Sequence, residues 1–229
     1  MSRLPQFISV LYLLLLATAA QAESFQLEPF NVRYSVQLNG FKVAEMERSL
    51  HIDGNGSPIL EQRTETSGLV ALFKKDKLVE RSVLGNDRHR PIPLTYDAHY
   101  TGRSKDIREH IDFDWQSNVA TSRYQEKRQE ISLSGAMMDK LSHQLILSND
   151  IAQGRKELEY TVLDRGNIKH YTYEWLGSEE LATARGRVTT IKIKRKDTTL
   201  WLAPQWNYLL VQLIQKNDDG TIATYIQKQ

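Results

Sequence analysis

Residues 30–52, FNVRYSVQLNGFKVAEMERSLHI, decide the fold class of this chain. From residue 30 to residue 38, apolar side chains occupy every second position, which is the period of a half-buried strand. Asn39-Gly40 follows, and this pair favours a tight hairpin because both residues tolerate a positive φ. On the return strand the alternation slips between Val43 and Met46, which indicates a β-bulge. The stretch therefore predicts an antiparallel hairpin.

The same alternation, interrupted by turn residues, continues to the C-terminus. Asp164-Arg165-Gly166-Asn167 and Asn217-Asp218-Asp219-Gly220 each fall between two alternating segments. One long segment, 139–153, has helical spacing, with Asp139 as its N-cap and Gly154 after its end. We predict a mainly β fold (β-rich α+β), a large curved antiparallel sheet or open barrel of about ten strands with one principal helix at 139–153.

The first residues have the pattern of an export signal. Arg3 precedes an apolar run that contains four consecutive leucines at 13–16, and Ala20-Gln21-Ala22 has the small-x-small pattern of a cleavage site. The run is shorter than the roughly 20 residues that span a bilayer. We expect residues 1–22 to be a signal peptide cleaved after Ala22, and 23–229 to be a single periplasmic β-rich domain without a transmembrane segment. A retained membrane anchor is the alternative.

Composition excludes several classes of function. The 229 residues contain 30 Lys+Arg and 28 Asp+Glu, so the balanced charge argues against a nucleic-acid partner. The absence of Cys excludes disulfides, a thiol nucleophile and a Cys-ligated zinc site. None of the six histidines has the spacing of a helical metal pair, although His99 and His110 could meet across neighbouring strands. We predict no catalytic residue, no metal and no cofactor.

Several motifs resemble one bacterial family. They are Tyr34 to Glu45 in the first hairpin, Asp139-Lys140-Leu141-Ser142, Tyr171 and Tyr173 with Gly177, Glu179 and Gly186, and Leu200-Trp201-Leu202-Ala203-Pro204. On these motifs the chain resembles, from about Phe30 onward, the exported family called domain of unknown function 3108. Asn207-Tyr208-Leu209-Leu210 departs from the Leu-Pro expected there. The resemblance implies a fold similar to periplasmic lipoprotein carriers, whose curved sheet wraps helices and encloses an apolar cavity, and hence binding of a lipid or another hydrophobic envelope component.

Apolar residues beside a connector or a proline are the candidates for contact with such a ligand. They are Val70, Leu72, Phe73, Trp201 and Trp206. The first three lie in the connector 68–73, which fits one or two helical turns or a plain loop and which we expect to form the lip of the cavity. The two tryptophans flank Pro204, a residue that marks a sheet edge or break. The alternative is that these side chains fill the core.

Lysines on one predicted strand are candidates for contact with an anionic group. Lys192, Lys194 and Lys196 alternate along the segment 187–195 and its continuation, so a strand would place them on one face. They would then form a cationic strip for the phosphate groups of a lipid or lipopolysaccharide. The alternative is an ordinary polar face on which lysines discourage edge pairing.

Three functions stay open on this evidence. The first is non-catalytic binding of a lipid or amphiphilic ligand, which an empty apolar cavity would favour. The second is a structural or protein-interaction module with an envelope protein as partner, which an exposed apolar patch would favour. The third is a hydrolase with an unrecognised site, which would require His, Asp and Ser side chains that converge in a cleft.

Overall fold

The computed structural model describes residues 27–87 and 90–227, so the predicted signal peptide 1–22 lies outside the described residues. The described chain has fifteen strands, two α-helices and a 3₁₀ turn. The strands are β1 (Phe30–Leu38), β2 (Phe41–Ile52), β3 (Pro58–Thr66), β4 (Lys77–Asp87), β5 (Arg90–Thr101), β6 (Asp106–Asp114), β7 (Val119–Tyr124), β8 (Lys127–Ser132), β9 (Met137–Asp139), β10 (Leu158–Asp164), β11 (Asn167–Thr183), β12 (Gly186–Arg195), β13 (Thr198–Ala203), β14 (Leu209–Lys216) and β15 (Ile222–Gln227). The helices are α1 (Val70–Phe73) and α2 (Ser142–Ala152), and the 3₁₀ turn is Pro204–Trp206.

All fifteen strands belong to one open sheet with the order β8-β7-β6-β5-β4-β3-β2-β1-β15-β14-β13-β12-β11-β10-β9. Neighbouring strands are antiparallel except β9 and β10, which are parallel. The sheet curves strongly, as contacts between the β10–β11 turn and the strands β6 and β8 show. There the Arg165 N–H donates to the Glu109 carboxylate at 2.5 Å, and the Gln129 amide donates to the Gly166 carbonyl.

The prediction of a mainly β, open and curved sheet is confirmed, but the expected number of about ten strands is wrong. In two of the strands, β9 and β13, buried and exposed residues do not alternate, so the sequence pattern does not reveal them. β9 has three residues, all buried, and includes Asp139, which we assigned to the helix. β13 contains the consecutive buried residues 200–203 because both faces of this strand are covered, so its apolar residues do not follow a period of two.

The first hairpin forms as its sequence predicts. Asn39 and Gly40 both have a positive φ, at 48° and 83°, which is the backbone that a tight hairpin turn requires. Val36 pairs with Ala44 while Gln37 pairs with Lys42, so the residue between them on β2, Val43, has no partner in the ladder. The predicted bulge is therefore present, at the start of the phase slip.

The principal helix is shorter than predicted, spanning 142–152 rather than 139–153. Asp139 still caps it from the end of β9, since its Oδ1 accepts hydrogen bonds from the N–H groups of Leu141 and Ser142 at 2.8 and 2.7 Å. After the helix, Gly154 takes a positive φ of 75° and donates its N–H to the Ile151 carbonyl. The cap and the terminating glycine are thus those that the sequence predicts.

Helix α2 packs on the concave face of the sheet, where it joins two core clusters. Ile146, Leu147 and Ile151 belong to the first, with residues of β1, β2 and β9 to β14. Leu145 belongs to the second, which draws mainly on β2 to β7. Because sheet surrounds the helix, nine of its eleven residues are buried. Neither helix in the described part of the chain is long and apolar enough to cross a membrane.

A small third cluster lies on the convex face. Val188, Ala203 and Val211 form it, with Leu181 and Trp206 packed against them. Ala203 must face away from α2, because its neighbour Leu202 belongs to the first core cluster and successive strand residues point to opposite faces. This cluster explains why the end of β13 is apolar on both sides.

Candidate functional site

A cavity of about 300 Å³ lies between α2 and the concave face of β1, β2, β13 and β14. Residues 27–30 and the turn at 204–208 bound it at one end of the strands. Its lining is mainly apolar and aromatic, with Phe30, Leu50, Leu145, Leu202, Trp206 and Leu210. The charged residues Glu28, Arg48 and Arg185 also line it. Sites for hydrophobic small molecules have this volume range and this composition.

Pairing and alternation explain why these side chains meet. Phe30 and Leu50 are opposite each other on β1 and β2, so they share the concave face. Tyr34, on the same face of β1, donates its hydroxyl hydrogen to the Leu210 carbonyl at 2.8 Å and so ties β1 to β14 across β15. Burial raises the pKa of Tyr34 far above its ordinary value, which keeps this hydroxyl protonated as a donor.

Arg48 is a charged side chain in this apolar lining. It is 5 % exposed, and its Nη1 donates to the Gln144 Oε1 on α2 at 2.6 Å. Its Nε is buried without a hydrogen-bond partner, and no carboxylate within residues 27–87 and 90–227 lies within 4 Å of the guanidinium. Burial lowers the pKa of Arg48, while Tyr34 and Glu80 partly offset this effect. Sequence reasoning missed this residue, although its position between Met46 and Leu50 in the alternation already placed it on the apolar face.

Glu80 is an acid that partly offsets the lowered pKa of Arg48, but its carboxylate contacts other groups. Its carboxylate accepts hydrogen bonds from the Tyr96 hydroxyl and the Gln62 amide, both at 2.9 Å. It also lies 3.2 Å from the Lys140 ammonium. Within the described residues, Glu80 therefore lies at ion-pair distance from Lys140 but not from Arg48.

A cluster of aromatic side chains packs against His143 of α2. The His143 Nδ1 lies 2.8 Å from the Lys140 carbonyl, which can only accept, so Nδ1 carries the proton. Nε2 then accepts from the Tyr173 hydroxyl at 2.9 Å. The Arg195 guanidinium stacks 3.9 Å from the Tyr171 ring centre on the same side. Burial, with smaller effects of Arg195 and Arg48, lowers the pKa of His143 to about 4, so the ring is neutral.

A second cavity of about 320 Å³ lies in the half of the sheet formed by β4 to β7. Leu78 and Ile107 contribute apolar surface, but Glu109, Lys140 and Arg165 also line it. Burial raises the pKa of Glu109, against the effect of the hydrogen bond from the Arg165 backbone. A larger share of its lining surface is polar than in the first cavity, so it is less suited to an apolar ligand.

The connector 68–73 forms one helical turn, but the structure contradicts its expected place at the cavity lip. Ser67, just before it, donates its N–H to the Val43 carbonyl beside the β1–β2 hairpin, whereas the cavity lies at the Phe30 end of β1. Val70, Leu72 and Phe73 consequently line neither cavity. They do not fill the core either, since Leu72 and Phe73 are 73 % and 80 % exposed.

The two candidate tryptophans differ in position, because Trp206 lies in the turn at the strand ends, where it also contacts the third cluster, while Trp201 lies within β13. Trp206 lines the first cavity, where the Arg185 guanidinium lies 5.6 Å from its ring centre. Trp201 faces the convex side, and its Nε1 donates to the Glu179 carboxylate at 2.9 Å. Trp201 therefore does not line the cavity, because residues 200 and 202 take the concave positions on β13.

The candidate lysines do not form a continuous cationic strip. Lys192 lies 2.8 Å from the Glu179 carboxylate and 5.1 Å from the Trp201 ring centre. Lys194 shares that convex face and stands opposite Glu174 in the ladder. Lys196 belongs to the turn after β12 and has a φ of 49°, so it does not continue the alternation. All three lie outside the lining of the first cavity.

The histidines that neighbouring strands might have brought together instead bind separate acids. His99 lies 3.0 Å from Asp106, while His110 lies between Asp97 at 2.7 Å and Asp112 at 3.0 Å. Burial opposes protonation of His110, but the two carboxylates outweigh it and raise its pKa. Within the described ranges, no serine lines the depression around His110, and no group of three or more His, Asp and Glu is placed to hold a metal ion.

The fold and cavity define a class of mainly β proteins with one open sheet curved around a helix. The chain belongs to the family described as "Protein of unknown function (DUF3108)", which it matches over residues 30–227. A comparison with curated proteins finds no match.

The fold is similar to that of a solved structure. It is the crystal structure of a β-barrel-like protein of domain of unknown function DUF1849 from Brucella abortus, with 10 % sequence identity and a TM-score of 0.57 over 87 % of this chain and 96 % of that one. The crystal structure of MucB aligns with 10 % identity over 90 % of this chain and 89 % of its own, with a TM-score of 0.18, which is too low to indicate a shared fold. The sheet wrapped around α2 is consistent with the carrier-like fold that the sequence resemblance implied.

Proposed function

We propose that this protein is a non-catalytic periplasmic binding protein that holds a lipid or another hydrophobic envelope component in the cavity between α2 and the sheet. The observation that carries the proposal is the cavity itself, with its largely apolar lining. Affinity would come from removal of apolar ligand surface from water, at roughly 25 cal/mol per Å² before ordering costs. No side chain has to ionise or attack for this function.

The size of the cavity limits the ligand. A volume of about 300 Å³ corresponds to roughly ten water-sized groups, and a methylene group is of similar size. It fits one short acyl chain or one chain segment rather than the several chains of a large lipid anchor. The proposed ligand therefore has a single apolar chain in the cavity.

Native mass spectrometry of the protein, purified from the periplasm without detergent, tests the proposal. We expect a reproducible added mass that is extracted by organic solvent as a lipid. Ser148 lines the cavity from α2, and its hydroxyl bonds only to the Gln144 carbonyl of its own helix. Ser148→Phe should fill the space and remove the added mass, whereas Ser148→Ala should retain it. A wild-type protein without added mass, or retention by Ser148→Phe, would count against a ligand in this cavity.

The periplasmic location rests on the N-terminal sequence pattern. If it is correct, the protein recovered from a periplasmic fraction begins at Glu23, as determined by N-terminal sequencing. Recovery only in the cytoplasmic fraction with Met1 retained would contradict the proposal.

A second candidate function, contact with an envelope protein partner, is favoured by an apolar tip. This tip consists of Phe41, Leu69, Leu72 and Phe73, each 73–80 % exposed on the β1–β2 hairpin and the connector before β4. Exposed large apolar side chains grouped on adjacent loops are typical of interaction sites. A photo-crosslinking residue at Phe73 should give one discrete adduct in cells. The same residue at Asn55, in the β2–β3 turn at the opposite strand ends, should give none, and equal labelling at both positions would exclude a specific partner.

A further inference from the structure

The cavity lining contains Arg48, a buried charge without a carboxylate at ion-pair distance among the described residues, although Glu28 also lines the cavity. Arg48 is buried, it hydrogen-bonds the neutral side chain of Gln144, and its Nε has no partner. A buried charge is costly unless it is paired with an opposite charge. A cavity that served only to hold a neutral hydrocarbon would be better lined by another apolar side chain at this position.

Gln144 is the hydrogen-bond partner of the Arg48 guanidinium in the described part of the chain, which leaves part of the group without an acceptor. Nη1 is held by Gln144, which orients the group from α2, while Arg48 itself lines the cavity. Nε is buried and has no acceptor within residues 27–87 and 90–227. The planar guanidinium is the group that proteins use most for hydrogen-bonded contact with a carboxylate or phosphate. Lys140 cannot take this role, because it already lies 3.2 Å from Glu80.

Apolar side chains line the cavity beside this charge. Leu50 is the next concave residue after Arg48 on β2, and Leu145 follows Gln144 on α2. Phe30 and Trp206 line the same space near the bounding segments. A ligand with an anionic head beside Arg48 and one chain along these side chains would satisfy both parts of the lining.

We infer that the ligand is a single-chain amphiphile whose anionic head group, a carboxylate or a phosphate, pairs with Arg48 inside the cavity. This inference rests on the proposed function and names the chemical class of its ligand. The head group supplies the missing counter-charge, while the chain replaces water along the apolar lining. Affinity should then depend on the charge of the head group and on the guanidinium together.

Equilibrium binding of three ten-carbon probes to the delipidated mature protein tests the inference, with tryptophan fluorescence, to which Trp206 in the cavity lining contributes, as one readout. Decanoate and decyl phosphate carry the two candidate head groups, and decanol is the neutral analogue. A hydrogen-bonded charge pair in a buried site should favour the better anion over decanol by roughly 10- to 100-fold. A preference between the two anions identifies the head group as carboxylate or phosphate.

Variants of Arg48 show whether the preference for anionic probes depends on this side chain. Arg48→Met should abolish the preference for anions while decanol binds as before. It should fold, because an apolar side chain of similar length removes an unbalanced buried charge. Arg48→Lys keeps the charge and loses the planar guanidinium, so it should lower the affinity for the anions and provides a second test if Arg48→Met fails to fold. Arg33→Met, at an exposed arginine of β1, is the matched control and should change nothing.

The possible results separate the two proposals. If all three probes bind wild-type protein equally, or if both Arg48 variants keep the preference for anions, the inference is wrong while a hydrophobic binding function stands. If no probe binds and the purified protein carries no extractable lipid, both proposals are wrong.

Discussion

Protonation of His143 should destabilise this protein in mild acid. The ring is buried among Tyr160, Tyr171 and Tyr173, with its Nδ1–H on the Lys140 carbonyl and its Nε2 accepting from Tyr173. A second proton at Nε2 would remove the acceptor of the Tyr173 hydroxyl. It would also place a cation in a dry environment within the influence of Arg195 and Arg48. The folded protein therefore keeps this residue neutral.

The size of the effect follows from linkage between folding and proton binding. The pKa of His143 falls from 6.5 to about 4 on folding, so between these values the unfolded chain binds a proton that the folded chain does not. Stability contributed by this group is complete above about pH 6.5 and is lost progressively as the pH falls toward 4. At about 1.4 kcal/mol per pH unit, the loss approaches about 3 kcal/mol, of which about 2 kcal/mol appears by about pH 5.

Urea unfolding followed by tryptophan fluorescence at about pH 7.5 and about pH 5 measures this term. Other groups also titrate over this pH range. Folding raises the pKa of buried acids such as Asp139 and Glu109, so their contribution to stability increases as the pH falls, opposite to that of His143. The comparison is therefore between variants. His143→Gln should lose about 2 kcal/mol less than wild type between the two pH values, while His51→Gln, at an exposed histidine of β2, should behave as wild type. Identical losses in wild type and His143→Gln would refute the reasoning.

Three further changes test the packing. Asp139→Ala removes the acceptor of two N–H groups at the start of α2 and of the Ser82 hydroxyl. It should lower the free energy of unfolding by at least about 2 kcal/mol in the same urea assay. A change below about 0.5 kcal/mol would rule out this capping role. Ile193→Ala opens a fully buried site in the first core cluster and should cost about 2–5 kcal/mol. Phe73→Ser should change stability by less than about 0.5 kcal/mol and leave decanoate binding intact, because this ring is exposed and remote from the cavity. If Phe73→Ser costs as much as Ile193→Ala, the ring is packed and its assignment to an exposed tip is wrong.

Much of the local structure could be predicted because its causes are local. The 39–40 hairpin depends on two residues that accept a positive φ, the bulge on a slip in the alternation, and the end of α2 on a glycine at 154. The cap by Asp139 could also be predicted, although the residue belongs to a strand rather than to the helix. In each case residues within a few positions of one another supply the whole interaction.

The candidate site was predicted less well because it depends on which residues meet across the sheet. Of the five apolar candidates, Trp206 alone lines the cavity. Trp201 lies on the other face, which the uninterrupted apolar run of β13 could not indicate. The connector 68–73 is apolar as expected, but its position at the opposite strand ends follows from the pairing of β2 with β3. Arg48 could not be singled out from the sequence, because nothing in the sequence shows which α2 residue and which cavity it meets.

The sequence by itself determined the β-rich class, the turns, the bulge and the capped helix, since the period of the apolar residues and the φ preferences of turn residues are properties of short segments. Only the tertiary structure decided that one open sheet contains fifteen strands, that α2 is buried against its concave face, and that Arg48 lies in an apolar cavity without a carboxylate partner among the described residues. The physical reason is that burial and charge pairing depend on contacts between residues far apart in the chain. Arg48 and Gln144, for example, are 96 positions apart and meet only when α2 packs on the sheet.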